Sequence, residues 1–106
     1  MALADQAQTE HAAERRSDDA LVASLTEGLA DADLEGLQPG QPGWAPRDEY
    51  EPEAESLAAV FRERGTIDVA DLRAVWLHWF SDDLSGYTPD ELEAVVADLR
   101  TRAAAP

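Results

Sequence analysis

The chain has 106 residues, no cysteine, 44% hydrophobic residues, and a formal charge of -15 from 23 acidic and 8 basic side chains. That length holds one domain with a real core, and the missing cysteines exclude disulfides, thiolate metal sites and a cysteine nucleophile. The charge argues against naked nucleic acid or an anionic membrane as partner, and no apolar run approaches the roughly 18 residues of a membrane span, so a cytoplasmic protein is expected.

Residues 1–16 are rich in Ala, Gln, Glu and Arg and offer only Met1 and Leu3 as large apolar groups. They are expected to be a mobile leader. Ser17 is a suitable N-cap, followed by Asp18 and Asp19 at the positive helix end. Leu21, Leu25 and Leu29 then fall at i, i+4 and i+8 with Val22 beside them, which predicts a helix that Gly28 weakens and that stops before Gly36. The stretch 38–46, QPGQPGWAP, holds three prolines and two glycines and predicts an irregular loop. Within it Trp44 is expected either to plug the edge of the core or to present a contact surface.

Pro52 suits the first turn of a second helix, with Glu53 and Glu55 near its positive end and Ala54, Leu57, Val60 and Phe61 on one face. Arg62 and Arg64 followed by Gly65 mark its end. Asp68 opens a third helix, whose Val69, Leu72, Val75, Trp76, Trp79 and Phe80 cover nearly half the circumference, so it is expected to be the most buried element. The last helix has the clearest start: Thr88-Pro89-Asp90-Glu91 is a capping box with proline at the first helical position, and Leu92, Val95, Val96 and Leu99 follow at helical spacing. No segment alternates with period two for long enough to make a strand. The fold class is therefore all-α: a compact bundle of about four short helices, with a single helical domain over 17–102 and a tail at 103–106.

Chemistry-bearing patterns are few. The run Phe61–Leu72 superficially matches half of a calcium-binding helix–loop–helix, but aligning Gly65 with the loop glycine puts Val60, Arg62 and Arg64 at ligand positions, which cannot hold a hard cation. His78 stands four residues before Asp82, a spacing that allows a hydrogen bond on one helix face. Nothing sets two carboxylates across a cleft in contrasting environments, and there is no phosphate-binding glycine loop or nucleophile elbow. An enzyme using Asp48, Glu51 or His78 is the least favoured reading; no catalytic residue, cofactor or metal is expected. Trp76, Trp79 and Phe80 share a face that fits core packing, though exposed aromatics there would also anchor a partner.

The dominant feature is the run from Ser17 to Glu55. It carries Asp18, Asp19, Glu27, Asp31, Asp33, Glu35, Asp48, Glu49, Glu51, Glu53 and Glu55 against Arg47 alone. Like charges at this density repel unless something outside the chain balances them. The expected function is thus a non-enzymatic binding protein that masks a basic partner, either a nuclease toxin, as an immunity protein does, or a DNA-binding protein, as a DNA mimic does. The expected contact residues are Trp44, Asp48, Glu49, Tyr50, Glu51, Glu53 and Glu55. The alternative is that acidity serves only solubility or a salty cytoplasm; all eight basic residues are arginine and lysine is absent, as in proteins of high-salt cytoplasms.

From Trp44 to Leu84 the chain also resembles the YugE-like group of small bacterial helical proteins of unknown function. The shared elements are Trp44-Ala45-Pro46 after a leucine-bearing helix, the acidic run Asp48-Glu49-Tyr50-Glu51-Pro52-Glu53, a leucine-rich helix ending at a glycine, and Leu72–Phe80. The group more often has an acidic residue where Ala45 stands, and a Met-Gly-Leu type ending where this chain has Asp82-Asp83-Leu84. The resemblance implies a small helical bundle and no chemistry.

Overall fold

The computed structural model describes residues 19–37 and 49–106. The expected leader, the Ser17 cap, the 38–46 loop, Trp44 and Asp48 lie outside the described residues. Four helices are present and, among the described residues, no strand: α1 over 19–32, α2 Glu51–Arg64, α3 Val69–Phe80 and α4 Pro89–Ala104. The all-α bundle read from the sequence is the fold.

Helix α1 buries Leu21, Leu25 and Leu29, the stripe set by the i+4 spacing, while Val22 stays half-buried beside it. It ends where Asp33 takes a left-handed conformation (φ 47°) and donates its N–H to the Leu29 carbonyl at 2.8 Å. Gly28 has a role that propensity alone does not reveal. A Cβ on it would lie 2.8 Å from both Leu99 Cδ2 and Arg102 Cδ, so the missing side chain is what lets α4 approach α1. Arg102 then bridges the two helices, bonding Asp98 at 2.8 Å within α4 and Asp31 on α1 at 2.9 Å.

Helix α2 has Pro52 in its first turn and ends on Gly65 in the left-handed region (φ 75°), whose N–H reaches the Phe61 carbonyl at 2.7 Å. Ala54, Leu57 and Ala58 are fully buried, and Val60 and Phe61 half-buried. Helix α3 begins with a reciprocal cap between Asp68 and Asp71, onto which Arg64 folds with contacts of 2.7 and 2.8 Å to Asp71 and 3.3 Å to Asp68. Thr88 and Glu91 form the box that starts α4. Arg100 fastens the α2–α3 connection to α4 by donating from Nε to the Ile67 carbonyl at 2.6 Å.

Helix α3 packs against both α2 and α4, but it is less buried than its apolar content predicts. Leu72, Val75 and Trp76 are inside, whereas Trp79 is 46% and Leu77 57% exposed. Four short helices cannot cover a helix that is apolar over nearly half its circumference and more, so the outermost aromatic stays at the surface.

The centre of the core is Tyr50, immediately before α2. It is 0% exposed, stacks on Trp76 with ring centroids 5.9 Å apart, and Trp76 in turn meets Phe80 at 5.3 Å. Its hydroxyl donates to Asp33 Oδ1 at 2.7 Å and accepts the Glu35 N–H at 3.2 Å. Asp33 Oδ1 also accepts the Leu37 N–H at 2.8 Å, and the Tyr87 hydroxyl donates to the Leu34 carbonyl at 2.7 Å. Replacing the hydroxyl alone (Tyr50→Phe) leaves the Glu35 N–H and an Asp33 lone pair without this partner, and is expected to cost about 1–2 kcal/mol. Urea unfolding checks this: the midpoint falls with the slope unchanged, whereas an unmoved midpoint would show that the clamp contributes nothing.

Candidate functional site

The acidic residues that the sequence groups into one belt go to different places in three dimensions. Asp31 is paired with Arg102, and Asp33 holds the Tyr50 hydroxyl. Glu35 faces Asp82; burial first, then the bond and the like charge of Asp82, hold its carboxyl above the usual carboxylate range. Tyr50 and Glu53, both expected in the contact face, are inside the protein: Tyr50 fills the core, and Glu53 is 4% exposed. For Tyr50 the reason is that its ring stacks on Trp76 while its hydroxyl satisfies groups at the end of α1. For Glu53 it is position: it precedes Leu57 by four residues and so points down the same buried side of α2. Neither offers a partner any surface, which corrects the expected set at those two positions.

Glu49, Glu51 and Glu55 are exposed, as a contact role requires. Glu51 and Glu55, one turn apart on α2, face a second stripe of α1 made of Asp19, Val22, Ala23, Thr26 and Glu27. Those α1 positions run i, i+3, i+4, i+7, i+8, a single helix face distinct from the leucine stripe. Together the two helices enclose an open groove of about 470 Å³. Val22 is half-buried, Ala23 is exposed, and Thr26 is buried with its hydroxyl donating to the Val22 carbonyl at 2.7 Å. Asp19 and Glu27 of α1 and Glu51 and Glu55 of α2 are the carboxylates among the groove's lining residues.

Three of the described arginines are engaged elsewhere. Arg64 is bound to Asp68 and Asp71, Arg100 to Glu93, and Arg102 to Asp98 and Asp31. Among the described residues no ion pair involves Asp19, Glu49, Glu51 or Glu55. The groove brings Asp19 of α1 close to Glu51 and Glu55 of α2, so that like charges gather in one concavity.

Other candidate chemistry dissolves on inspection. His78 does not bond Asp82 in the way the spacing allowed; its ring meets Trp79 edge-on at 5.2 Å, while Asp82 Oδ1 accepts the Leu84 N–H at 2.9 Å. Among the described residues no group of three His, Asp or Glu side chains could hold a metal ion, and no helix is long and apolar enough to cross a membrane. Trp79 rests on the side of α2 that faces α3, with its indole N–H 3.2 Å from the Ser56 hydroxyl. The α1 half of the groove was missed in the sequence, although Asp19, Val22, Ala23, Thr26 and Glu27 do form a stripe that the leucines leave unused. No family model matches the chain, and no curated protein and no solved structure was found to be similar to it.

Glu53 supplies a test of the electrostatics beside the groove. One of its carboxyl oxygens, Oε2, is buried without a hydrogen-bond partner. Burial, and then the like charge of Glu49, raise its pKa above the ordinary 4.5. The native carboxyl thus holds its proton to higher pH than the unfolded one. Its contribution is complete below the unfolded value and is lost as pH rises through the native one. Glu53→Gln removes the buried charge, so it is expected to stabilise the fold by on the order of 1 kcal/mol at pH 7. That gain should shrink to nothing as the pH is brought below the unfolded value; urea midpoints measured across the range check both the sign and the window.

Proposed function

We propose that this protein is a non-enzymatic acidic binding protein that masks a basic surface on a protein partner, of the nuclease-toxin or DNA-binding kind, in the manner of an immunity protein or a DNA mimic. The observation that supports this reading best is the α1/α2 groove, lined by Asp19, Glu51 and Glu55, which no described arginine pairs, while Arg64, Arg100 and Arg102 are committed to other carboxylates. Paired charges on a rim steer encounter and fix register, and an adjoining apolar strip supplies the desolvated contact that charge alone does not. Of the contact residues read from the sequence, Glu51 and Glu55 carry this role, with Glu49 exposed next to them; Asp19 and Glu27 join them. Trp44 and Asp48 enter the proposal from the sequence alone.

The second reading, acidity for solubility, is favoured by one feature: exposed carboxylates such as Glu63, Asp90, Glu91, Glu93 and Asp98 also stand away from the groove. One experiment separates the two. Immobilised protein is exposed to lysate of the source cells at 50 mM salt, and what elutes at 500 mM, as the screening length falls from roughly 14 to 4 Å, is identified by mass spectrometry. The masking reading expects a defined basic protein, released by salt. Its affinity should fall roughly tenfold or more, about 1.4 kcal/mol, for Glu51→Gln/Glu55→Gln, and by much less for Glu63→Gln/Asp90→Asn, which removes the same charge elsewhere. Equal losses in the two double variants, or binding indifferent to salt, would reduce the acidity to a bulk property.

A further inference from the structure

Away from the groove, the end of α1 meets the α3–α4 connection, residues 81–88, in a contact held under backbone strain. Ser81 (φ 53°) and Leu84 (φ 61°) both stand in the left-handed region and bracket Asp82 and Asp83. A bulky side chain disfavours that region, yet Leu84 is 1% exposed, so its burial in the core is what keeps it there. The segment is closed by Asp82 Oδ1 accepting the Leu84 N–H at 2.9 Å, and by the Tyr87 N–H on the Leu84 carbonyl at 3.1 Å. The Tyr87 hydroxyl fastens it to the Leu34 carbonyl of the other side at 2.7 Å. The next residue there, Glu35, is fixed by its own N–H on the Tyr50 hydroxyl. With the backbone tied down on both sides, the Glu35 and Asp82 carboxyl groups are left facing each other.

Two carboxyl groups rest in contact only while a proton lies between them. Glu35 Oε1 is buried without a hydrogen-bond partner, as is the Trp76 indole Nε1, whose proximity offsets only part of the effect of Asp82. The neighbouring ionisable groups come from every element packed here. Asp33 stands at the end of α1, Tyr50 before α2, Tyr87 in the connection and Glu91 on α4. Burial first, then the charges of Glu35, Asp33, Asp82 and Glu91, hold the Tyr87 phenol above its ordinary range, so it remains a donor. From α3, Arg73 acts on Asp83, and the His78 ring lies against Trp79.

We propose that Glu35 and Asp82 are a proton-operated latch: sharing one proton, they hold the strained 81–88 connection against the end of α1, and on losing it they release that connection while the four helices stay packed. The helices keep contacts outside the latch, through Tyr50 on Asp33, Leu99 against Gly28 and Arg102 on Asp31. Release relaxes Ser81 and Leu84 and exposes the Leu84 side chain. The inference is independent of the masking function. Its sign follows from the closed form, in which burial and then Asp82 hold the Glu35 carboxyl above its ordinary 4.5. The closed form keeps a proton that the open form gives up. Its advantage is complete below the open-state pKa and is lost as pH rises through the closed-state one. The closed-to-open ratio falls about tenfold for each unit between the two.

The test follows the full chain by NMR from about pH 4 to about pH 8, alongside Glu53→Gln, which removes the other raised carboxyl. The readouts are the Glu35 side-chain carboxyl carbon, the Trp76 indole N–H, and hydrogen-exchange protection of the Leu84 and Tyr87 amides, corrected for the intrinsic rise of exchange with pH. The Leu25 amide, in the core of α1, is the control. The expected result in both proteins is one midpoint above 4.5 shared by Glu35 and Trp76. Across it, protection at Leu84 and Tyr87 should fall at least about tenfold while that of Leu25 holds. Glu35→Gln, whose amide donates to Asp82 at any pH, should flatten the change at Leu84 and Tyr87. Asp82→Asn, which still accepts the Leu84 N–H, should bring the Glu35 midpoint down to the ordinary range. Protection that stays constant across the midpoint, or that falls equally at Leu25, would overturn the latch. So would a Glu35 midpoint at or below the ordinary value, or one that Asp82→Asn leaves in place. The titration of the unaltered chain decides the matter by itself should a variant not fold.

Discussion

The buried hydroxyl of Tyr50 on the carboxylate of Asp33 is the contact on which the arrangement of the bundle depends. Asp33 ends α1 in a left-handed conformation, a position where its short polar side chain is tolerated better than most. Its Oδ1 then accepts both the Tyr50 hydroxyl and the Leu37 N–H, so one carboxylate closes the turn after α1 and ties it to the residue that starts α2. Stacking of Tyr50 on Trp76 brings in α3, and the bond from Tyr87 to the Leu34 carbonyl brings in the approach to α4. Burial of the Tyr50 ring, and next the carboxylate beside it, push the phenol far above its ordinary pKa, so the hydroxyl remains a donor. With the end of α1 fixed to the start of α2, the stripe of α1 that the leucines leave outside is set opposite Glu51 and Glu55. The groove follows from that registration.

Charge is distributed with the same economy. Arginine serves structure here: Arg64 closes the cap between α2 and α3, Arg100 holds a buried loop carbonyl, and Arg102 crosses from α4 to α1. Such exposed pairs contribute little each, on the order of 0–1 kcal/mol, but they fix geometry. They also commit three of the five described arginines to carboxylates outside the groove. Inside, the acidic bias has a cost. Glu53 keeps a carboxyl oxygen buried with no partner, and Glu35 turns toward another carboxylate.

How far the sequence revealed this depends on the range of the signal. Helix ends are local, and they were legible: the Asp68–Asp71 and Thr88–Glu91 boxes, Pro52 and Gly65 all sit as read. Tyr50 was misplaced because its neighbours are Glu49 and Glu51, which are surface residues, and nothing in the local chain announces that one ring between them turns inward to meet Trp76, twenty-six residues on. Glu53 had a readable clue in its i, i+4 relation to Leu57, overridden by its place in an acidic run. Gly28 looked like a defect in α1; only the approach of Leu99 and Arg102 shows why a side chain is missing there. The belt of acids was read as one face because sequence proximity was taken for spatial proximity. A bend at Asp33 separates them, and of the expected contact residues that are described, Glu51 and Glu55 line the groove.

That separation bears on why the groove exists. Charge needed only for hydration works best when spread evenly, because each added carboxylate near another raises the cost of the folded state. Asp19, Glu51 and Glu55 gathered in one concavity are the opposite arrangement, because their mutual repulsion is a cost that the fold bears there. Under the masking proposal, a basic partner that bound this concavity and not the unfolded chain would relieve that repulsion and stabilise the bundle by mass action, by RT ln(1 + [L]/Kd).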